Sequence, residues 1–163
     1  ALESARLFLS STESDVHVKS FSDRYFPSQW KELKDCFSGL AASLVGDLDP
    51  DLIFTHRLED RHQDHRVISE LTWNAFRDHQ IMEYEIPKFE GDLGQPSVYV
   101  PLATSLVDEK IKILMECFPS QNSHPWFDEE TFRSIMRIRG IEINSTSRYA
   151  EAFCVRKISL GGD

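Results

Sequence analysis

The sequence predicts a layered α/β fold around a mostly parallel sheet that becomes mixed towards its C-terminal part. Three observations carry this expectation. Short apolar runs of strand length alternate with longer stretches of helical periodicity, the pattern of a sheet covered by helices. One such run, Leu52-Ile53-Phe54, leads straight into a polar loop holding His56, Glu59, Asp60, His62, Asp64 and His65. Open α/β sheets set their chemistry in that position, in the crevice beyond the carboxyl ends of the strands. Two later strand patterns have no long helix between them, so antiparallel or mixed pairing is expected there.

Ala1 to Leu9 reads as the tail of a helix, with Leu2, Ala5, Leu7 and Leu9 as its apolar members. A start inside such a pattern, without a cap, leads us to expect further chain upstream. Ser10-Ser11-Thr12-Glu13-Ser14 is loop-like, and Asp15 to Phe21 alternates weakly as a strand would, with His17 on its surface. Phe26-Pro27-Ser28-Gln29-Trp30 reads as a turn into a helix over Lys31 to Val45, with Ser28 as N-cap. Leu33, Phe37, Leu40, Ala41 and Leu44 form its apolar stripe, the usual mark of a core face. Gly46 to Pro50 ends that helix and leads into Leu52-Ile53-Phe54, which has the character of a buried parallel strand.

After the polar loop, Ile68, Leu71, Thr72, Ala75 and Phe76 recur at helical spacing. Ile81 to Pro87 alternates as a strand, Lys88 to Pro96 is a Gly- and Pro-containing loop, and Ser97 to Leu102 is another short strand. Asp108 to Phe118 reads as a helix with Ile111, Leu114, Met115 and Phe118 on its apolar face. Pro119 to Phe127 interrupts, and Asp128 to Ile138 forms a second helix burying Phe132, Ile135, Met136 and Ile138. Tyr149 to Leu160 closes the chain as a strand.

With 163 residues, 40% of them hydrophobic and 11% aromatic, the chain is of single-domain size and can bury a sizeable core. No apolar run approaches the roughly 20 residues of a membrane helix, and no secretory leader pattern is present, so the reading is cytoplasmic. A formal charge of -9 argues against a nucleic-acid footprint, which needs a clustered basic face. Cys36, Cys117 and Cys154 are odd in number and widely spaced, which fits small buried residues better than a disulfide framework or a metal clip. No Gly-rich phosphate loop supports a nucleotide-binding module.

The loop carries the chemistry. His62 and His65 stand three apart with Asp64 between them. Imidazole is the commonest metal-binding side chain, and a nearby carboxylate can fix its tautomer. A catalytic zinc takes three protein ligands and an open position, which one pair of histidines cannot complete. On spacing alone, a polar loop with surface histidines explains the pattern as well as a metal site does. Glu59 and Asp60 fit a solvated turn. Asp64 suits the positive end of the following helix, and His79 the negative end of the same helix. His124 with Trp126 and Phe127 is read as packing, although a sugar-lining rim is the other option.

The wording of these segments resembles one family. Pro50-Asp51-Leu52-Ile53-Phe54-Thr55-His56 with Glu59-Asp60-Arg61-His62-Gln63-Asp64-His65-Arg66 is similar to the PIG-L or LmbE-like zinc-dependent de-N-acetylases. So are Glu83-Tyr84-Glu85-Ile86-Pro87, Ser120-Gln121 with Pro125-Trp126-Phe127, Arg139-Gly140-Ile141-Glu142 and Tyr149-Ala150-Glu151-Ala152-Phe153, in the order of one bacterial branch. The resemblance implies one Rossmann-like deacetylase domain over residues 1–163 and an N-acetylated amino sugar, or its conjugate, as substrate. It implies that His65 binds the zinc ion. His62 would serve the oxyanion or the leaving amine, and Asp64 would orient His62.

The family's His-Pro-Asp-Asp segment, source of two further ligands and the water-activating carboxylate, has no counterpart here. The resemblance therefore places the first strand, first helix and second strand, with the remaining ligands, upstream of Ala1. This chain alone is then expected to be inactive. Apolar sheet edges left without those strands would favour pairing with another chain, as in a homo-oligomer, or with the omitted segment. The alternative is a non-catalytic sugar- or partner-binding relative that has lost the first metal motif.

Overall fold

Helices α1 (Leu2–Phe8), α2 (Trp30–Ser43), α3 (Gln63–Ala75), α4 (Thr104–Cys117) and α5 (Glu129–Glu142) accompany four strands, β1 (Leu52–His56), β2 (Gln80–Tyr84), β3 (Val98–Pro101) and β4 (Ala150–Cys154). This is a computed structural model that describes residues 2–9, 15–44, 46 and 49–159. The expected loop at residues 10–14 lies outside the described residues. The strands form one sheet in the order β1-β2-β4-β3. β1 and β2 run parallel, joined by α3, and β2 and β4 run antiparallel. The α/β class and the mixed pairing are as the sequence predicts. No helix among the described residues is long and apolar enough to cross a membrane.

The chain groups into two compact units. One comprises residues 21–86, 90–98 and 153–163. Its core joins Leu33 of α2 to Val67 and Leu71 of α3, with Phe21, Phe26, Trp30 and Phe37 packed around them. A 3-10 turn over Phe26–Gln29 leads into α2. Ser28 therefore lies inside this turn and gives its hydroxyl to the Tyr25 carbonyl at 2.8 Å, so the expected N-cap is not formed. Among the described residues β1 joins the sheet through β2 alone and leaves Phe54 53% exposed, so the run expected to be a buried strand is an edge there. Its inward members are Thr55, which meets Thr72 of α3 at 3.0 Å, and the half-buried Ile53.

The other unit comprises residues 1–20, 87–89 and 99–152. Val107 and Ile111 of α4 pack on Phe132 and Met136 of α5 and on Phe127. The weak strand pattern from Asp15 to Phe21 is not a strand: Val16 and Val18 lie exposed, with no ladder partner among the described residues to reward extension. α5 runs one turn beyond the expected end at Ile138, whose side chain is on the outer face. Asp128 caps it, its carboxylate accepting from the Thr131 amide at 2.7 Å. α1 lies against α4, but Leu2, Leu7 and Leu9 are exposed and Ser4 is the buried member of α1. Thus the apolar members named from the sequence do not form its inward face.

Gly140 explains one unassigned piece of the sequence. A methyl group there would stand 2.3 Å from the backbone of Arg148 and Tyr149, where the chain turns into β4. The Ser145 amide also donates to the Gly140 carbonyl at 2.9 Å, which ties this loop to α5. Gly140→Ala should therefore destabilise the protein even though alanine is the better helix former. Overpacking costs about 1–3 kcal/mol and the propensity gain offsets up to about 1 kcal/mol, leaving a net loss of roughly 1–2 kcal/mol. Urea unfolding should show a lower midpoint at unchanged slope; a raised midpoint would mean that the 145–149 loop yields.

Candidate functional site

His56 is the last residue of β1, and the backbone then turns sharply, with the Asp60 amide donating to the Arg57 carbonyl at 3.1 Å. The turn delivers Asp60 to the start of α3. One carboxylate oxygen accepts from the His62 amide at 2.7 Å, and the other lies 2.9 Å from Nδ1 of His65. Asp60 is only 4% exposed, so the expected solvated turn is wrong for it. The reading holds for Glu59 alone, whose exposed side chain reaches Arg156 at 2.7 Å.

An ionised carboxylate can only accept. In the neutral ring, Nδ1 of His65 therefore carries the hydrogen given to Asp60, and Nε2 keeps its lone pair. This carboxylate–imidazole pairing is the one that orients metal-ligating histidines. His65 sits in the first turn of α3, so a rigid element fixes its ring. That ring stacks on His56 at 4.1 Å between centroids, with 2° between planes. On another side it meets His62 at 4.4 Å. His62 is the N-cap of α3, and its Nδ1 accepts from the Asp64 amide at 3.3 Å.

The parallel register sets Tyr84 of β2 opposite His56, and its hydroxyl lies 3.4 Å from His56 Nε2. Burial, and then the charge of Asp60, push the Tyr84 hydroxyl from 10 up to about 12. It is a protonated donor at every physiological pH.

Of the residues singled out in the sequence, His62 and His65 come together and His56 joins them. Asp64 does not face His62. Its buried carboxylate accepts from the backbone amides of Arg24 at 2.5 Å and Phe26 at 3.1 Å, holding Arg24 in a left-handed conformation with φ of 69°. This positions the loop before α2 and leaves the orientation of His62 to the backbone. The remaining residues lie elsewhere: His17 pairs with Asp15 at the surface, His79 with Asp49, and His124 stacks on Trp126 at 5.5 Å. Arg139 pairs with Glu142 at 2.8 Å, and Glu151 pairs with Lys110.

His56, Asp60 and His65 each offer a donor atom, all within 4.8 Å of one another. Two imidazoles and one carboxylate are a ligand set that catalytic zinc uses, so these residues fit such an ion. Asp60 was missed because a turn carboxylate has no local mark of burial. Its spacing of two before a helix-capping histidine is the signal that was available.

Glu83 was missed too. It is 1% exposed and accepts from Trp73 Nε1 at 2.7 Å, Arg156 Nε at 3.0 Å and the Leu58 amide at 3.3 Å. Strand alternation put it on the same face as the fully buried Ile81, which was the available clue.

Comparison with known proteins then adds the fold. No family model and no curated protein matches the sequence. Among solved structures, the chain is similar to N,N'-diacetylchitobiose deacetylase from Pyrococcus horikoshii, at 21% identity and a TM-score of 0.59, over 94% of this chain and 60% of that one. It is similar to 4-carboxy-2-hydroxymuconate hydratase GalB from Pseudomonas putida KT2440, at 17% identity and TM-score 0.59, over 99% of this chain and 71% of that one. It is also similar to the zinc-inhibited form of teicoplanin deacetylase Orf2, at 14% identity and TM-score 0.55, over 91% and 60%. The chain thus spans about three fifths of each of these two deacetylases. At such identities the likeness is one of fold, and it is the fold that the family resemblance implies.

The Tyr84 shift gives a pH dependence. A hydroxyl raised from 10 in the unfolded chain to about 12 in the folded one adds stability that is complete below pH 10. That stability is lost as pH rises through 12, because the unfolded chain ionises first. The full shift corresponds to about 3 kcal/mol. Unfolding measured between pH 9 and 12 should fall more steeply for the wild type than for Tyr84→Phe. Parallel curves would place this hydroxyl in contact with solvent.

Proposed function

We propose that this chain belongs to a PIG-L/LmbE-like metal-dependent hydrolase that removes acetyl from an N-acetylated amino sugar or its conjugate. The observation that carries the reading is the pairing of buried Asp60 with the half-buried His65, whose ring also contacts those of His56 and His62, at the carboxyl end of a parallel strand. The fold shared with two deacetylases supports it. The hydratase of the same fold shows why the site, and not the fold, has to carry the reaction.

His65 is assigned as a metal ligand through Nε2, with Asp60 holding its other nitrogen. Among the described residues, His56 and Asp60 offer companion donor atoms. A zinc or other divalent ion held by these residues would supply Lewis acidity to the acetamide carbonyl and to the attacking water. His62 uses Nδ1 on a backbone amide, so the neutral ring presents Nε2–H as a donor. That hydrogen suits the carbonyl oxygen as charge develops on it, and then the departing amine. Water oxygen joins the carbonyl carbon while one of the water protons passes to the amide nitrogen, the C–N bond breaks, and the amine and acetate part. Asp64 contributes by holding residues 24–26 beside the start of α3.

Incubation of a protein that carries this chain at the full length of the two deacetylases, with Zn2+ or Co2+ and a panel of N-acetylated amino sugars, should release primary amine and acetate. His65→Ala should lower this by about 10³-fold or more, and His62→Ala by about 10²–10³-fold. Calorimetric titration with Zn2+ should lose its binding isotherm in His65→Ala and weaken about 10- to 100-fold in Asp60→Asn. Amine release indifferent to His65, or water addition to an unsaturated carboxylate in its place, would overturn the assignment.

A further inference from the structure

The described network places a buried carboxylate behind the histidine cluster. Residues Arg57 to Asp60 form one turn, closed by the Asp60 amide on the Arg57 carbonyl at 3.1 Å. Its two central residues are Leu58 and Glu59. The Leu58 amide donates to Oε2 of Glu83 at 3.3 Å. Glu59 accepts from the Arg156 guanidinium at 2.7 Å, and the same guanidinium donates through Nε to Oε1 of Glu83 at 3.0 Å. Trp73 of α3 completes the set, donating Nε1 to Oε1 of Glu83 at 2.7 Å, with the Arg156 guanidinium 5.8 Å from its ring.

Both central residues of the turn are therefore held by the same pair, and the turn ends on Asp60. A carboxylate 1% exposed on a strand is costly unless it is fully engaged. Glu83 is fully engaged, and one of its partners is a backbone amide of the loop that carries Asp60. The other two come from α3 and from the segment after β4, so three separate stretches are tied to one side chain.

We propose that Glu83 and Arg156 are positioning residues for the histidine cluster: they fix the Arg57–Asp60 turn so that Asp60 meets Nδ1 of His65. The significance for metal binding rests on the function proposed above; the effect on the Asp60–His65 pair does not.

The test uses the full chain with ¹⁵N-labelled histidine, first without metal. The wild type should show His65 in a single tautomer with a slowly exchanging Nδ1–H. In Arg156→Ala and Glu83→Gln that signal should broaden or average with the other tautomer, at a temperature where urea unfolding shows each variant fully folded. Arg156→Lys should recover it in part, and Lys157→Ala, a neighbour whose ammonium lies over Trp73 without reaching Glu83, should leave it intact. Zn2+ affinity should fall about tenfold in Arg156→Ala and Glu83→Gln. If the folded variants keep both the tautomer signal and the affinity, Glu83 is a packing residue and the proposal fails. Should Glu83→Gln not fold, the half-exposed Arg156 decides alone. A wild type that binds no Zn2+ but loses the His65 signal in Arg156→Ala upholds the clamp and removes the metal reading instead.

Discussion

The bond between Asp60 and His65 is the constraint on which the rest of the site depends. A carboxylate taken out of water loses hydration worth several kcal/mol, and it is tolerated only when its lone pairs are met. Asp60 meets this demand with the His62 amide, the His65 ring and the helix start itself, whose positive end favours a negative charge. Each of those partners exists because α3 begins where it does. If the helix began one residue later, His65 would swing about a quarter-turn away, since successive residues rotate by about 100°. The cap, the turn and the placement of the His65 ring are therefore one structural event.

The framework of this event was legible in the sequence. An apolar run, a polar loop and a helical repeat identified β1, the site and α3, because those patterns are local and periodic. What escaped was set at a distance. The burial of β1 depends on which strands flank it, so the same Leu52-Ile53-Phe54 that marks a strand says nothing of Phe54 lying exposed. Asp60 and Glu59 are adjacent acidic residues in a turn. The fold buries one beside His65 and leaves the other in solvent on Arg156, a residue 97 positions away. One partner of Glu83, Arg156, is 73 positions distant, and the Arg24 amide held by Asp64 is 40 positions back. No spacing rule reaches across such separations.

The failures on the secondary structure have the same origin. Residues 15–21 alternate, but alternation is only a strand when a neighbour supplies the ladder, and none of the described residues does. Ser28 has the chemistry of an N-cap, yet Pro27 starts a tighter turn first and the serine is used inside it. Gly140 lies beyond the helix end expected at Ile138, and the backbone of residues 148 and 149 packed against it is what requires a glycine there.

His62 and His65 stand on the same first turn of helix, and their rings touch, but the structure assigns them opposite nitrogens. His65 gives Nδ1–H to a carboxylate and keeps the Nε2 lone pair. His62 accepts at Nδ1 from a backbone amide and keeps Nε2–H. One ring is thereby prepared to coordinate and its neighbour to donate a hydrogen, and neither assignment requires the other to be charged. The distinction comes from a single local fact: the helix cap occupies the first histidine with the Asp64 amide, while the turn before it supplies the second with Asp60. Two identical side chains three residues apart acquire complementary roles because backbone meets one of them and a buried acid meets the other.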